Sequence, residues 1–327
     1  MKSEKIFRAA AFSIICLMVF GAGCTSSSST SQVPKETGTF ALKFTPQESN
    51  TYHVTTESEK LVKFEGSLAK SDEFKDGRND TRVEMTFTQD TESVDDKGNA
   101  IAKITIRYLK YISIEKNNTV MDFDSSREQD KNAPLSKLIG QSYKIQLAPT
   151  GEVLNVVDVS QAKAVADETG LKLLQPGAIK ERHGTIILPA ADKNQLAEGD
   201  TWNSLKVFSF GFMGSKPFEK IYTVKSIREM ENHKNAFVDV NAVPTSKIAK
   251  ELYKEEASNP LAEKFDNTGG YMGHFRFDLT SGKFKTYLEK LSIRWDVVDP
   301  AMTQEADKAP DAIKMEANRI YIFDKIN

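Results

Sequence analysis

The chain has 327 residues, a net charge of −2, 28% charged and 39% hydrophobic residues, and 19 Phe. That apolar content excludes a disordered chain. A mean hydropathy of −0.44 with one long apolar run excludes a polytopic membrane protein, and the mild acidity leaves no footprint for nucleic acid. Two Cys and four His are little material for metal or nucleophile chemistry, so neither a metal nor another cofactor is expected.

Residues 1–23 have the build of a secretory signal. Lys2, Lys5 and Arg8 make a basic start, residues 9–20 an apolar core, and Gly21-Ala22-Gly23 a run of small residues. The apolar stretch, about 12 residues, is short of the roughly 20 that a bilayer-spanning helix needs. Gly21-Ala22-Gly23-Cys24 resembles the lipobox of bacterial lipoproteins, departing from it at Gly21, where that motif usually has Leu. The resemblance implies a diacylglycerol on the Cys24 sulfur, cleavage before Cys24, and acylation of the new N-terminus by a palmitate-like chain. An ordinary secretory signal with an incidental Cys is the alternative. Residues 24–36 open with Thr25-Ser26-Ser27-Ser28-Ser29-Thr30-Ser31, which has nothing to bury and reads as a solvated tether. Loss of Lys2, Lys5, Arg8 and Glu4 would take the net charge from −2 to −4. Cys16 would leave with the signal and Cys24 would carry lipid, so the domain over 37–327 holds neither disulfide nor free thiol.

From residue 40 the dominant period is two. Phe40, Leu42 and Phe44 alternate with polar residues, followed by Tyr52/Val54, Val83/Met85/Phe87, Ile104/Ile106 and Tyr143/Ile145/Leu147. Farther on come Tyr222/Val224, Val238/Val240, Phe275/Phe277/Leu279 and Leu291/Ile293/Trp295/Val297. Such alternation predicts strands with one packed and one wet face, the habit of antiparallel sheets. Turns are predicted at Asp95-Asp96-Lys97-Gly98-Asn99, Pro149-Thr150-Gly151 and Thr280-Ser281-Gly282. A strand over 100–114 is long enough to require a bend or bulge. The expected fold is mainly β, antiparallel and curved, with a few short helices.

Two helices are predicted, over 160–169 with Ser160 as cap and a stop at Gly170, and over 246–257 with Ile248 and Leu252 facing inward. Residues 67–80 read as an exposed hairpin tip and 301–312 as a surface loop before a last strand over 313–326. The hairpins Tyr143-x-Ile145-x-Leu147/Gly151 and Phe275-x-Phe277-x-Leu279/Gly282 look alike. Either the domain has two similar halves, 37–190 and 195–327, sharing one core, or two β-hairpins merely look alike.

The sequence has no HExxH, no GxSxG, no phosphate loop and no GxGxxG, and His53, His183, His233 and His274 lack zinc-like spacing. His274 is expected on a wet strand face and His183 in a loop. Asp122/Asp124 and Asp90/Glu92 read as solvated strand charge rather than calcium ligands. Phe208, Phe210 and Phe212 share one face of a strand. They are expected either to pack the core or to line an apolar ligand cavity or a membrane-facing edge, which makes them the candidate ligand-binding residues.

Leu188-Pro189, a spacer of about ten residues, and Gly199-Asp200-Thr201-Trp202 resemble elements of a family of bacterial secreted lipoproteins, the domain of unknown function numbered 6263. The hairpins at Tyr143 and Phe277 resemble that family's own, and the likeness covers about residues 38–327. It implies a β-rich secreted domain with Gly199-Asp200 turning and Trp202 entering the core, and it supplies no catalytic residues. The functional expectation is a non-enzymatic envelope protein, anchored by lipid at Cys24 and facing the periplasm from the outer membrane. It would bind an apolar or amphipathic ligand, or an envelope partner. A structural accessory subunit and a hydrolase with no visible site are the alternatives. A cavity above about 300 Å³ would favour the ligand.

Overall fold

The computed structural model describes residues 35–70, 75–184, 186–210, 215–244, 247, 248, 251, 266–298 and 312–326. Cys24, Phe212 and nearly all of the tether lie outside them, as do most of the helix expected over 246–257 and the loop before Ala312. The fold is mainly β, with an open, curved antiparallel sheet and short helices.

The long strands follow the alternating runs. β1 (Thr37–Thr39) is short; β2 (Ser49–Glu65), β3 (Gly77–Val94) and β4 (Ala100–Glu115) are three long neighbours. β5 (Asn118–Asp124) pairs with β4, and β6 (Ser142–Leu147) and β7 (Val153–Asp158) complete this meander. After β8 (Gln195–Ala197), which pairs with β1, a second meander runs through β9 (Thr201–Ser209), β10 (Ser215–Met230) and β11 (His233–Val243). It ends in β12 (Asp266–Asp278), β13 (Lys283–Val298) and β14 (Ala312–Lys325). β14 lies against β2, with Arg319 opposite Ser58, so the first long strand and the last meet in the middle of one sheet. Its outer strands are β7 and β9. Strands of this length cannot stay flat and in register, and the β3–β4 ladder slips at Thr86/Phe87 and at Thr91/Ser93, supplying the expected irregularity.

The turns form where the sequence marks them. Asp95 Oδ1 accepts from the backbone of Lys97 and Asn99 at 2.9 and 2.8 Å. At Gly282 the backbone is left-handed (φ +66°), and a Cβ there would stand 2.8 Å from the Lys43 nitrogen, so glycine answers both conformation and space.

Residues between β7 and β9 connect the sheet's two outer strands by way of its inner face. The helix expected over 160–169 breaks at Ala166. α1 (Ser160–Val165) has Val159 at its N-cap and no side-chain cap, because the Ser160 hydroxyl donates to Asp158 Oδ1 at 2.7 Å. Asp167 then caps α2 (Glu168–Leu173) by accepting from Gly170 N at 2.8 Å, so Gly170 sits inside a helix instead of ending one. α3 (Pro176–His183) opens on a proline that the first turn tolerates. Ala162, Leu173, Leu174 and Ile179 from these helices join Phe87, Ile104, Tyr143 and Phe275 in the main apolar cluster. A second cluster holds Phe208, Phe210, Phe218, Leu291, Ile293, Trp295 and Met315. Ile248, expected to face inward, is exposed.

Candidate functional site

The two apolar clusters are separated by a row of charged and hydroxylated side chains on the same inner face. Period two puts them there. On β13, Tyr287, Glu289, Leu291, Ile293 and Trp295 all point inward and are buried, so Glu289 is a carboxylate in an apolar series. Lys220 stands between Phe218 and Tyr222 on β10, Lys206 between Ser204 and Phe208 on β9, Arg319 between Ala317 and Tyr321 on β14, and Lys60 between Ser58 and Val62 on β2. Opposite Glu289 on β12 is Gly273, whose missing Cβ would come within 3.2 Å of Val240 Cβ.

Glu289 Oε2 is the hub. It accepts from Lys220 Nζ at 2.6 Å, from the Tyr271 hydroxyl at 2.8 Å and from the Tyr287 hydroxyl. Lys220 also donates to the Tyr287 hydroxyl at 3.1 Å and lies 5.6 Å from the Tyr222 ring centroid. Burial opposes the charge on Glu289, yet the Lys220 and Lys206 ammoniums and these hydrogen bonds hold its carboxyl down to about 2. Burial opposes the Lys220 charge too, and the surrounding Tyr222, Glu289 and Tyr271 lift it above the ordinary lysine value. Tyr271 and Tyr287 are pushed up by burial and by the same carboxylate.

Lys206 is bound less firmly. Its nearest carboxylate oxygen, Glu289 Oε1, is 4.0 Å away, its Nζ lies 4.9 Å from the Phe208 ring centroid, and 23% of the side chain is exposed. Burial lowers it to about 8, with Glu289 opposing the drop. Arg319 meets Glu181 of α3 and stacks its guanidinium 5.5 Å from the same Phe208 ring. Lys60 is lowered by burial and by the Arg319 charge.

α3 delivers a third set. Arg182 is buried and donates to the Leu173 carbonyl at 3.1 Å and to the Tyr143 hydroxyl at 3.3 Å. Its own carbonyl accepts from the Tyr321 hydroxyl at 2.7 Å, which fastens the helix to β14. His183 ends this helix, where a loop was expected. Its ring is packed edge-on against Phe87 (4.7 Å, 76°), with Nε2 2.7 Å from the Tyr143 hydroxyl. Burial and the Arg182 charge push His183 well below its ordinary value, which keeps the ring neutral beside the Tyr143 hydroxyl.

Between α2, α3 and the row opens a cavity of about 200 Å³. Lys206, Arg319, Arg182, Glu289, Glu181 and Glu57 give it charge, Thr56, Ser58 and Thr81 hydroxyls, and Val83, Leu173 and Ala178 apolar walls. It is smaller than the roughly 300 Å³ at which pockets that enclose a drug-sized ligand begin.

Of the residues singled out in the sequence, Phe208 and Phe210 face inward together and belong to the second apolar cluster. They are 1% and 2% exposed, edge-on to Phe218 (5.4 Å, 86°) and Trp295 (5.2 Å, 70°). Neither lines the cavity, although Phe208 floors the charges beside it. Phe212 and Cys24 lie outside the described residues. His274 is exposed on its strand. Asp122 pairs with Arg127, Asp124 Oδ1 accepts from Ser126, and Glu92 pairs with Lys144. Among the described residues no three His, Cys, Asp or Glu side chains are placed to share a metal ion.

Trp202 is half-buried at the edge of the main cluster. Its indole stacks on Tyr222 (4.8 Å, 4°) and donates to the Ile187 carbonyl at 2.8 Å, while Asp200 Oδ2 accepts from Ala197 N at 2.7 Å in the preceding turn.

No family model and no curated protein matches this chain. Among solved structures it is similar to one described as showing lipid–protein interactions in lipovitellin, with a TM-score of 0.39 and 10% identity over 86% of this chain. The chain spans 26% of that lipovitellin chain. It is also similar to OccK2 (OpdF) of Pseudomonas aeruginosa, with a TM-score of 0.21 and 9% identity over 89% of this chain and 100% of that one. OpdL of Pseudomonas aeruginosa gives a TM-score of 0.18 and 6% identity over 86% and 99%.

Proposed function

We propose that this protein is a lipid-anchored envelope protein that holds an amphipathic ligand, without chemistry, against the inner face of its curved sheet. The anchor is Cys24, the placement the periplasmic side of the outer membrane, and the family the one that its Leu188-Pro189 and Gly199-Asp200-Thr201-Trp202 elements resemble. One observation carries the ligand: a charged row crosses an otherwise apolar inner face, and a cavity with both characters opens beside it. Polar groups placed in an apolar hollow orient a bound amphiphile.

The ionisable groups support binding over catalysis. A carboxylate held at about 2 is a weak proton acceptor at neutral pH, and its Oε2 is already occupied by three donors. The Nε2 of His183 is engaged by Tyr143.

Two experiments test the proposal. Native mass spectrometry of the protein purified from its own envelope should show a stoichiometric adduct of lipid mass, and a bare polypeptide mass would count against a ligand. Cys24→Ser should move the protein from the membrane to the soluble periplasmic fraction or leave it uncleaved. Equal incorporation of a labelled fatty acid into wild type and variant would refute the anchor.

A second reading has its own observation. The outer strands β7 and β9 carry exposed Val157 (52%) and Leu205 (43%), and neither strand pairs along its outer side among the described residues. Such edges accept an added strand from a partner protein. A stoichiometric protein complex in the same mass spectrum would favour this envelope partner over the lipid.

A further inference from the structure

We infer that the cavity beside Lys206 is a subsite for an anionic head group, a carboxylate or a phosphate, with Lys206, Arg319 and Lys60 as the recognising charges. The inference rests on the ligand-binding function proposed above and names the chemistry of the ligand's polar end.

Charge balance is the first argument. Five cations, Lys60, Arg182, Lys206, Lys220 and Arg319, serve this part of the inner face, against three carboxylates, Glu57, Glu181 and Glu289, of which Glu57 is already paired with Arg82 at 2.9 Å. Glu289 Oε2 is saturated by Lys220 and two tyrosines, and Glu181 is taken up by Arg319. Withdrawing unbalanced positive charge from water is costly unless an anion or water accompanies it. An anion in the cavity supplies the missing partner.

Distance is the second. Ammonium–carboxylate hydrogen bonds close at about 2.7–2.9 Å. Lys206 stops at 4.0 Å from Glu289 and makes no other ion pair or hydrogen bond among the described residues. Lys60, two residues along β2 from the cavity's Ser58, makes none either. Lys220, one strand farther in, has what these two lack.

Size and lining make the third. A volume of about 200 Å³ is several times the roughly 30 Å³ share of one water and below the range that encloses a whole drug-sized molecule. It suits a head group with the first carbons of a chain. The Thr56, Ser58 and Thr81 positions offer hydroxyl donors at one side, and Val83, Leu173 and Ala178 an apolar wall for those carbons.

The test is calorimetric titration of the full chain in non-ionic detergent with octanoate, octyl phosphate, octanol and inorganic phosphate. Octanoate and octyl phosphate should bind at least about tenfold tighter than octanol, the factor that one charge-assisted hydrogen bond supplies. Lys206→Met should remove most of that advantage and leave octanol binding unchanged. Lys60→Met, at the margin of the site, should reduce it in a variant whose folding is not in question. Octanol binding as tightly as octanoate would overturn the head-group inference and leave the ligand-binding proposal standing. No binding by any eight-carbon probe would overturn both. Inorganic phosphate binding as tightly as octyl phosphate would uphold the anion subsite and assign it to a free anion, against the lipid.

Discussion

The Lys220 ammonium stands 2.6 Å from Oε2 of Glu289, and both side chains lie within the apolar inner face of the sheet. The pair joins β10 to β13 across two intervening strands, so it ties together parts of the second meander that backbone hydrogen bonds do not connect directly. Its cost and its value are both set by burial. Attraction between the two charges offsets their lost hydration only while both are present.

Lys220→Met alone should therefore destabilise the protein by about 3–5 kcal/mol, because it strands the Glu289 charge. Adding Glu289→Gln to Lys220→Met removes that charge and keeps an amide oxygen for the tyrosine hydroxyls. The double variant should recover more than half of the loss. Urea unfolding of the three proteins measures this, and additive losses would show that the two charges do not act as a pair.

Acid should act first through His183. Its pKa in the fold lies well below the ordinary 6.5, so between those values the unfolded chain binds a proton that the folded one does not. Stability from this residue is full above about 6.5 and is lost as pH falls below it. The neutral ring is enforced by its surroundings: Tyr143 on β6, Phe87 on β3 and the neighbouring Arg182 on α3. Glu289 works in a lower window, contributing above about 4.5 and losing its contribution toward about 2. His183→Gln should flatten the stability profile between pH 6.5 and 5 and leave the steeper loss at lower pH. A thermal-denaturation series against pH checks it, and an unchanged profile would sink the assignment.

The alternation of apolar residues made the strands visible in the sequence, because a half-buried strand needs every second residue apolar regardless of what it pairs with. The same alternation held the site and concealed it. Leu291, Ile293 and Trp295 mark β13, and one further step back along the inward series is Glu289. Tyr222 and Val224 mark β10, and one step back is Lys220. A charge at an in-facing position looks in sequence like the end of a strand. Only the register that lays β9, β10, β13, β14 and β2 across one face shows Lys206, Lys220, Glu289, Arg319 and Lys60 as one row. The pairing of β2 with β14 joins distant residues, 249 positions apart in the Lys314–Glu65 contact, and no local pattern encodes it. Helix ends failed for a different reason. Ser160 can cap a helix, but Asp158 captures its hydroxyl, and Asp167 offers a better cap seven residues later.

Trp202 joins the turn at Gly199-Asp200 to the core through two separable contacts. Trp202→Phe keeps a ring over Tyr222 and leaves the Ile187 carbonyl without its donor, which should cost about 1 kcal/mol. Trp202→Ala also removes the stack and should cost about 3 kcal/mol. Equal losses in the two variants, read from chemical denaturation, would mean that the stacking on Tyr222 contributes nothing.

Phe210 separates the two roles that its row of phenylalanines invites. It is 2% exposed, meets Trp295 edge-on at 5.2 Å, and shares its cluster with Ile293 and Met315. Packed there, Phe210→Ala should cost about 3–5 kcal/mol, the range for deleting a buried aromatic ring. Phe210→Asp should prevent folding altogether, since a carboxylate in that cluster would have no partner. Neither change reaches the cavity at Lys206, so in folded Phe210→Ala the preference for octanoate over octanol should stay as in the wild type. A loss below about 1.5 kcal/mol for the alanine variant, together with a folded aspartate variant that no longer binds lipid, would place Phe210 on the wall of a ligand cavity instead.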